Sequence, residues 1–330
     1  MKIRVVGHGG EEVFPFGQTG PWSEFKEELI SQGHTIVSSA YGSKSDALIS
    51  HKHSLSAIKE AVDNNVPVSR RALVLWEPSI VEKERYQQNI LSQYGSIYAP
   101  SVIWAEQVGA KPFKWPQDLV LQIEAQDEWL KRKKQFVIIQ GNKFSARKGE
   151  LYSLRRQIIH SMSNQIDLYG TNWNRGFSFD WLHWSSSFIN SSFRELKFKS
   201  MWGIGRKYRN YRGSVTNKHA TLREYKFAIV IENSPDFVSE KLFDCISAGC
   251  LVIYIGPDLK QFDLDIDSLI QLNQNRKEII RECLQLLELD GAAQFEIAQS
   301  QNLELRKSAI DWANTIVLRN LARSILGDFA

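Results

Sequence analysis

The stretch YKFAIVIENSPDFVSEKLFDCISAGCLVIYIGPDL, Tyr225 to Leu259, decides how the chain is read. FAIVI is apolar at every position, as in a parallel strand covered on both faces. A second apolar run, LVIYIG, closes the stretch. Between them Val238, Leu242, Cys245, Ile246 and Gly249 recur at helical spacing and predict an amphipathic helix. Strand, helix and strand in that order form a parallel crossover unit. The join between the first strand and the helix carries Glu232, Asn233, Glu240 and Lys241, more polarity than a turn requires. Ser234 or Asp236 can cap the helix, with Pro235 stiffening the turn. A helix N-terminus offers free N–H groups and a partial positive charge, which suits a phosphate. Lys241 stands where the helix dipole disfavours a cation. Either an anionic ligand meets it there, or it pairs on the surface with Glu240 or Asp236.

The same alternation runs through the rest of the chain. IRVVG, TIVSS, DALIS, ALVLW and SIYAP read as strands, with helices at PWSEFKEELISQG, SLSAIKEAVDNN and RYQQNILSQYG. Two prolines and the charge run Lys131–Lys134 then mark a boundary, which predicts domains over 1–130 and 131–330. Beyond it come a strand at FVIIQ, a helix at KGELYSLRRQIIHSM and a strand at IDLYG. Thr171 to Thr216 is irregular, SLIQLN is a further strand, and a long helical pattern runs from about Phe295 to Leu326. The fold class is therefore α/β, two Rossmann-like domains with C-terminal helices. Ligands are expected in the cleft they face, at the C-terminal ends of the strands.

Composition narrows the classes. The chain has 330 residues, 43% hydrophobic and 24% charged, enough for a sizeable core in each domain. No apolar run reaches the roughly 18 residues of a membrane span. The N-terminus MKIRVVGHGG enters a strand pattern directly, which predicts no signal peptide. Cys245, Cys250 and Cys283 show no metal-ligand spacing, and Cys245 and Cys250, in apolar surroundings, read as small buried hydrophobes of a reducing compartment. A net charge of +4 permits an anionic ligand without calling for nucleic acid.

With its order E-N-S, S-E-K, G and I-G-P, the stretch from Tyr225 resembles the signature of the α-1,3/α-1,4-fucosyltransferases, glycosyltransferase family 10. It departs in Ile231 for the usual Phe, Ser239 for the usual Thr and Phe237 where members often carry Tyr. The resemblance implies a GT-B type fold whose second domain holds GDP-fucose, and inverting transfer of fucose to a glycan hydroxyl without a metal or any cofactor beyond the donor. It implies that Glu240 meets sugar hydroxyls of the donor, Lys241 the pyrophosphate and Asn233 the donor near its phosphates, with Glu232 and Tyr225 of the same motif counted among the donor-binding residues. QGNKFSARKGELYSLRRQIIHSMSNQIDLYG is a weaker echo of the family and puts Arg147 where members hold pyrophosphate; Lys148, Arg155 and Arg156 compete for that role. ALVLWEPSIVEKERYQQNILSQYGSIYAPS resembles the first-domain pattern and matches Glu77 to the catalytic base, with Glu82 and Glu84 next in line.

Other features carry less. DLDID, Asp263 to Asp267, has the D-x-D spacing that holds a metal–nucleotide pair in another glycosyltransferase class, but its polar, turn-rich setting reads as a solvated loop. GHGG around His8 lacks the dinucleotide fingerprint and reads as a tight turn. The basic, aromatic stretch 193–213 rests on an anionic membrane, holds a charged acceptor or packs its aromatics on the second domain. Trp173, Trp181 and Trp184 stack on sugars or fill a small core. The sequence thus reads as a cytoplasmic bacterial-type fucosyltransferase, with peripheral membrane contact through 193–213 as a further expectation. The other readings are a transferase using another nucleotide-sugar and a non-catalytic glycan- or nucleotide-binding module.

Overall fold

The apolar runs form strands, and every strand pairing among the described residues is parallel. The computed structural model describes residues 1–7, 22–37, 44–82, 86–118, 124–174 and 206–330. They fall into two units, Met1–Asp118 with Ala309–Ala330, and Leu119–Ser308.

The first unit runs β1 (Lys2–Val6), α1 (Trp22–Ser31), β2 (Thr35–Val37), β3 (Ala47–Ser50), α2 (Leu55–Asp63), β4 (Arg71–Val74), α3 (Gln88–Leu91), β5 (Ser96–Ala99), α4 (Val102–Val108) and β6 (Lys111–Pro112). Its sheet order is β2-β1-β3-β4-β5-β6. Helix α4, absent from the sequence reading, is bounded by local signals: Ser101 caps it by accepting from the Trp104 N–H, and Gly109 ends it at φ +66°.

The second unit runs α5 (Gln126–Leu130), β7 (Lys133–Ile139), α6 (Tyr152–Ser161), β8 (Ile166–Tyr169), β9 (Tyr211–Gly213), α7 (Lys218–Leu222), β10 (Tyr225–Ile231), α8 (Glu240–Ser247), β11 (Leu251–Ile255), β12 (Ile270–Gln271), α9 (Arg276–Glu288) and α10 (Gly291–Ser308). Its sheet order is β12-β11-β10-β7-β8-β9. All seven residues of β10 are buried, as its unbroken apolar pattern requires. Ile158 and Ile159 of α6, Met162 at its C-cap, and Ile279, Cys283 and Leu286 of α9 share one core with alternate residues of β7, β10 and β11.

The boundary expected at 130/131 falls instead at Asp118/Leu119, and the last residues return to the first unit. Lys133 and Lys134 of the charge run begin β7 with their side chains exposed, so they mark a strand end and not a linker. The single long C-terminal pattern is two helices. A short 3₁₀ turn at Ile310–Trp312 separates α10 from α11 (Asn314–Phe329). Gln117 stops the chain there: its N–H donates to Trp312 O at 2.7 Å, and its carbonyl accepts from Asn314 N at 3.0 Å. Leu318, Leu321, Ala322, Ile325 and Phe329 then enter the first core beside β1, β3 and β4. Arg323 clasps Glu28 of α1 at 2.8 Å, and this contact, against the opposing effect of burial, holds the Glu28 carboxyl below its ordinary pKa. No helix among the described residues is long and apolar enough to cross a membrane.

Candidate active site

In the second sheet the connections out of β7 and β10, which lie side by side, lead to opposite edges. Renumbered within the unit, the order is 3-2-1-4-5-6, and the crevice outside the carboxyl ends of the two central strands is where such sheets take ligands. The loop after β7 carries Gln140 to Leu151; the loop after β10 carries Glu232 to Ser239.

The two loops are tied together by backbone and by one buried guanidinium. Leu151 N donates to Asn233 O at 3.0 Å. Arg155, 1% exposed, donates to Ile231 O at 2.7 Å, Glu232 O at 3.2 Å and Asn233 Oδ1 at 3.3 Å. Burial pushes the Arg155 pKa down to about 10, which still leaves it charged at neutral pH. Arg156, equally buried, donates to Lys143 O at 2.7 Å. Both arginines brace the loops, which removes them as competitors of Arg147. At Gly170, φ +129°, a Cβ would stand 2.2 Å from Gln140 O, so only glycine lets β8 end against the start of the β7 loop.

Arg147 lies on a pocket of about 440 Å³ shared with Lys148, Gly149, Glu150, Gln157, Gln274 and Arg276. The pocket sits where α6 and α9 begin, so three cations and two helix N-termini converge on it. Glu150 offsets part of this charge, but its carboxylate accepts from Ser153 N at 2.9 Å and from the Ser153 hydroxyl. Gln274 and Arg276 come from the far end of the unit, and no local motif marks them.

The β10–α8 join differs from expectation in its cap. Ser239, and neither Ser234 nor Asp236, is the N-cap of α8. Phe237 and Val238 are buried, which draws the turn inward and delays the helix. Ser234 Oγ is buried with no partner among the described residues. Glu232 is fully buried: Oε1 accepts from Ser239 N at 2.9 Å, and Oε2 from Ser239 Oγ at 2.7 Å. Lys241 meets an anion, but that anion is Glu232. Lys241 Nζ lies 3.2 Å from Glu232 Oε2 and 2.7 Å from Ser239 Oγ, and its side chain is 13% exposed. Glu240 is half exposed and 3.7 Å from Lys218. Burial raises the Glu240 pKa, but Lys241, Lys218 and Lys143 outweigh it and hold the carboxyl below its ordinary range. Asn233 keeps an amide nitrogen without a partner among the described residues.

Tyr225 does not join this group. It begins β10, so it stands on the order of 20 Å along the strand from Glu232. Its hydroxyl donates to Asp167 at 2.8 Å and meets Tyr169 at 3.0 Å. Its hydroxyl thus serves a structural role at the amino-terminal end of the strand, away from the expected donor contact.

In the first unit Glu77 follows β4 at its carboxyl end, half-buried. Trp76 turns into an aromatic cluster: its Nε1 donates to His51 Nδ1 at 3.1 Å, and Trp22, Phe113 and Trp115 meet its ring edge-on. Tyr86 donates to Glu77 O at 2.9 Å. Glu82 is half-buried nearby in sequence; Glu84 and His8 lie outside the described residues, as do Trp181, Trp184 and most of 193–213. Trp173 is core, 2% exposed, with Nε1 donating to Gln140 O at 2.6 Å. Asp265 and Asp267 are exposed and pair with Lys260 at 3.8 and 3.4 Å. No group of three His, Cys, Asp or Glu among the described residues could hold a metal.

No family model matches the sequence, and neither does any curated protein sequence. Solved structures are similar in fold. The chain superposes on Anabaena HepE in complex with UDP and glucose at a TM-score of 0.56 and 10% identity, over 98% of this chain and 99% of that one. An α1,3-fucosyltransferase gives 0.53 at 15% identity, over 99% and 88%. An α-glucosyltransferase in complex with UDP and a 13-mer DNA gives 0.54 at 10%, over 98% and 99%. At these identities the likeness is one of fold, shared by fucosyl- and glucosyltransferases without preference. That fold is two Rossmann-like units of the GT-B type.

Proposed function

We propose that the protein is a GT-B glycosyltransferase that moves a sugar from a nucleoside-diphosphate donor to a glycan hydroxyl, with GDP-fucose as the donor. The observation that carries this reading is that two loops are tied together at the carboxyl ends of adjacent strands of the second sheet, one lining the Arg147 pocket and the other leading to Asn233, Glu240 and Lys241. The choice of fucose rests on the signature from Tyr225 to Gly256.

In this mechanism the acceptor hydroxyl attacks the anomeric carbon from the face opposite the leaving diphosphate. Glu77 takes its proton, which makes a weak nucleophile competent. Charge developing on the leaving diphosphate is met by Arg147, Lys241 and the N–H groups at the start of α8. Glu240, held ionised, accepts hydrogen bonds from sugar hydroxyls. No metal takes part. A cytoplasmic location, with peripheral membrane contact through 193–213, belongs to the same reading, and cell fractionation tests it.

A UDP-sugar is the second reading, favoured by the fold likeness to HepE, whose structure contains UDP and glucose. Incubation with GDP-fucose and UDP-glucose over a glycan array separates the two. Fucose transfer supports the first, glucose transfer the second, and binding of neither donor overturns both.

A further inference from the structure

Glu232 has no exposed surface, so it cannot touch a donor, yet its carboxylate holds both the cap of α8 and the ammonium of Lys241. We infer that Glu232 and Ser239 are positioning residues that lock Lys241 in one orientation toward the leaving diphosphate. This rests on the transferase reading above.

The geometry supplies the argument. A lysine ammonium has three N–H donors. Two are engaged, by Glu232 Oε2 at 3.2 Å and Ser239 Oγ at 2.7 Å. The third has no partner among the described residues, and Lys241 keeps a small exposed face through which it can reach a ligand. Glu232 is itself held: Ser239 supplies a backbone N–H and a hydroxyl, and its own N–H donates to Ile255 O at 2.9 Å. The packing leaves no slack, since a Cβ at Gly256 would stand 2.9 Å from Glu232 Cγ and 2.3 Å from the Tyr254 hydroxyl. A long, flexible lysine is thereby made rigid before the donor arrives, which lowers the entropy lost on ordering it.

The lock has a cost in charge. Glu232 cancels much of the attraction that Lys241 would exert on a bound diphosphate in the ground state. What remains is a directed N–H, which matters most as charge grows on the leaving oxygen. Removing the carboxylate charge should therefore separate binding from turnover: the nucleotide is held as tightly or more tightly, while the chemical step slows. A merely structural glutamate would weaken both together.

The test uses Glu232→Gln, which keeps shape and hydrogen-bonding capacity, and Ser239→Ala, which opens the lock from the hydroxyl side should the first variant fold poorly. Acylation of Lys241 by an amine-reactive ester, followed by peptide mass spectrometry without ligand, reads the lock directly. It should accelerate roughly tenfold, the equivalent of one charge-assisted hydrogen bond. The GDP affinity of Glu232→Gln should stay level or rise, while kcat falls about 10- to 100-fold. Unchanged acylation in both variants, with wild type binding GDP, overturns the lock alone. Loss of GDP affinity in step with kcat overturns the positioning role. Failure of wild type to bind GDP or UDP overturns the transferase reading, and the aim assigned to Lys241 falls with it.

Discussion

The carboxyl ends of β4 and β10 carry the two halves of the proposed chemistry, and they are built differently. At β10 the polar groups hold one another: Glu232, Ser239 and Lys241 form a closed set beneath the loop, and Arg155 ties that loop to the one after β7. At β4 the scaffold is aromatic. Trp76, His51, Trp22, Phe113 and Trp115 pack ring to ring under the strand end, and Glu77 stands half-buried beside them. A site that must meet the same diphosphate at every turnover gains from a rigid polar lattice. A carboxylate that works as a base must be held in place, and the aromatic packing beneath the strand end fixes the backbone that carries it.

The largest effect tests the aromatic side. Glu77→Gln keeps shape but cannot accept a proton, so kcat should fall roughly 10²- to 10⁴-fold. GDP affinity, read by calorimetry, should hardly change, because the residues proposed to hold the donor belong to the second unit. Near-normal kcat on the true acceptor would move the base elsewhere, with Glu82 the next to test.

On the polar side the expected losses are smaller and fall on binding. Arg147→Ala should weaken GDP about 10- to 100-fold, the worth of one charge-assisted phosphate contact. Lys241→Ala should lose a smaller part of the thermal stabilisation that GDP confers, because Glu232 already offsets its charge in the ground state. It also leaves Glu232 buried without its cation, so its melting temperature without ligand should drop as well. Equal GDP affinity in wild type and Arg147→Ala would remove the pocket from the donor site.

Arg155 probes the lattice itself. Arg155→Met fills similar volume but abandons the carbonyl of Glu232, while Ile231 O keeps Gln140 Nε2 at 3.1 Å, and leaving a buried acceptor unpaired costs about 1–3 kcal/mol. Urea melts should show that loss, while the same change at the exposed Arg276 should leave stability nearly untouched. If Arg155→Met is as stable as wild type, the brace contributes nothing and the contrast between the two edges weakens.

How legible each edge was in the sequence follows from how its parts are spaced. The β10 join is one contiguous stretch, so strand, turn and helix could be read together. The differences there are local: burial of Phe237 and Val238 shifts the cap from Ser234 or Asp236 to Ser239, and Tyr225 shares a motif with residues at the other end of its own strand. The pocket beside it was legible only through Arg147. Arg155 and Arg156 look like surface cations until α6 is placed against the sheet, where Leu154, Ile158 and Ile159 carry them into the core. Gln274 and Arg276 reach the pocket through the parallel order of β12, which no local pattern encodes. The return of α11 to the first unit was hidden for a similar reason: the apolar period continues past Ser308, and only the hydrogen bonds of Gln117 show where the chain changes partner.

The smallest expected effect concerns the acidic loop after β11, and it separates a lattice that does chemistry from charges that merely share its side of the sheet. Asp263 has φ +55° and closes the 3₁₀ turn Leu259–Phe262, while Leu264 and Ile266 are buried and anchor the loop. The intervening Asp265 and Asp267 point outward, 72% and 75% exposed, with Lys260 as counterion. An exposed ion pair of this kind contributes about 0–1 kcal/mol, so Asp265→Ala should leave the melting temperature almost unmoved. If Arg147, Lys241 and helix N–H groups neutralise the leaving diphosphate, activity should also survive both Asp265→Ala and prolonged EDTA treatment. Strict dependence on Mn²⁺, abolished by Asp265→Ala, would instead place a metal–nucleotide pair on this loop. Such a result would make the cation-lined pocket at α6 and α9 irrelevant to the donor.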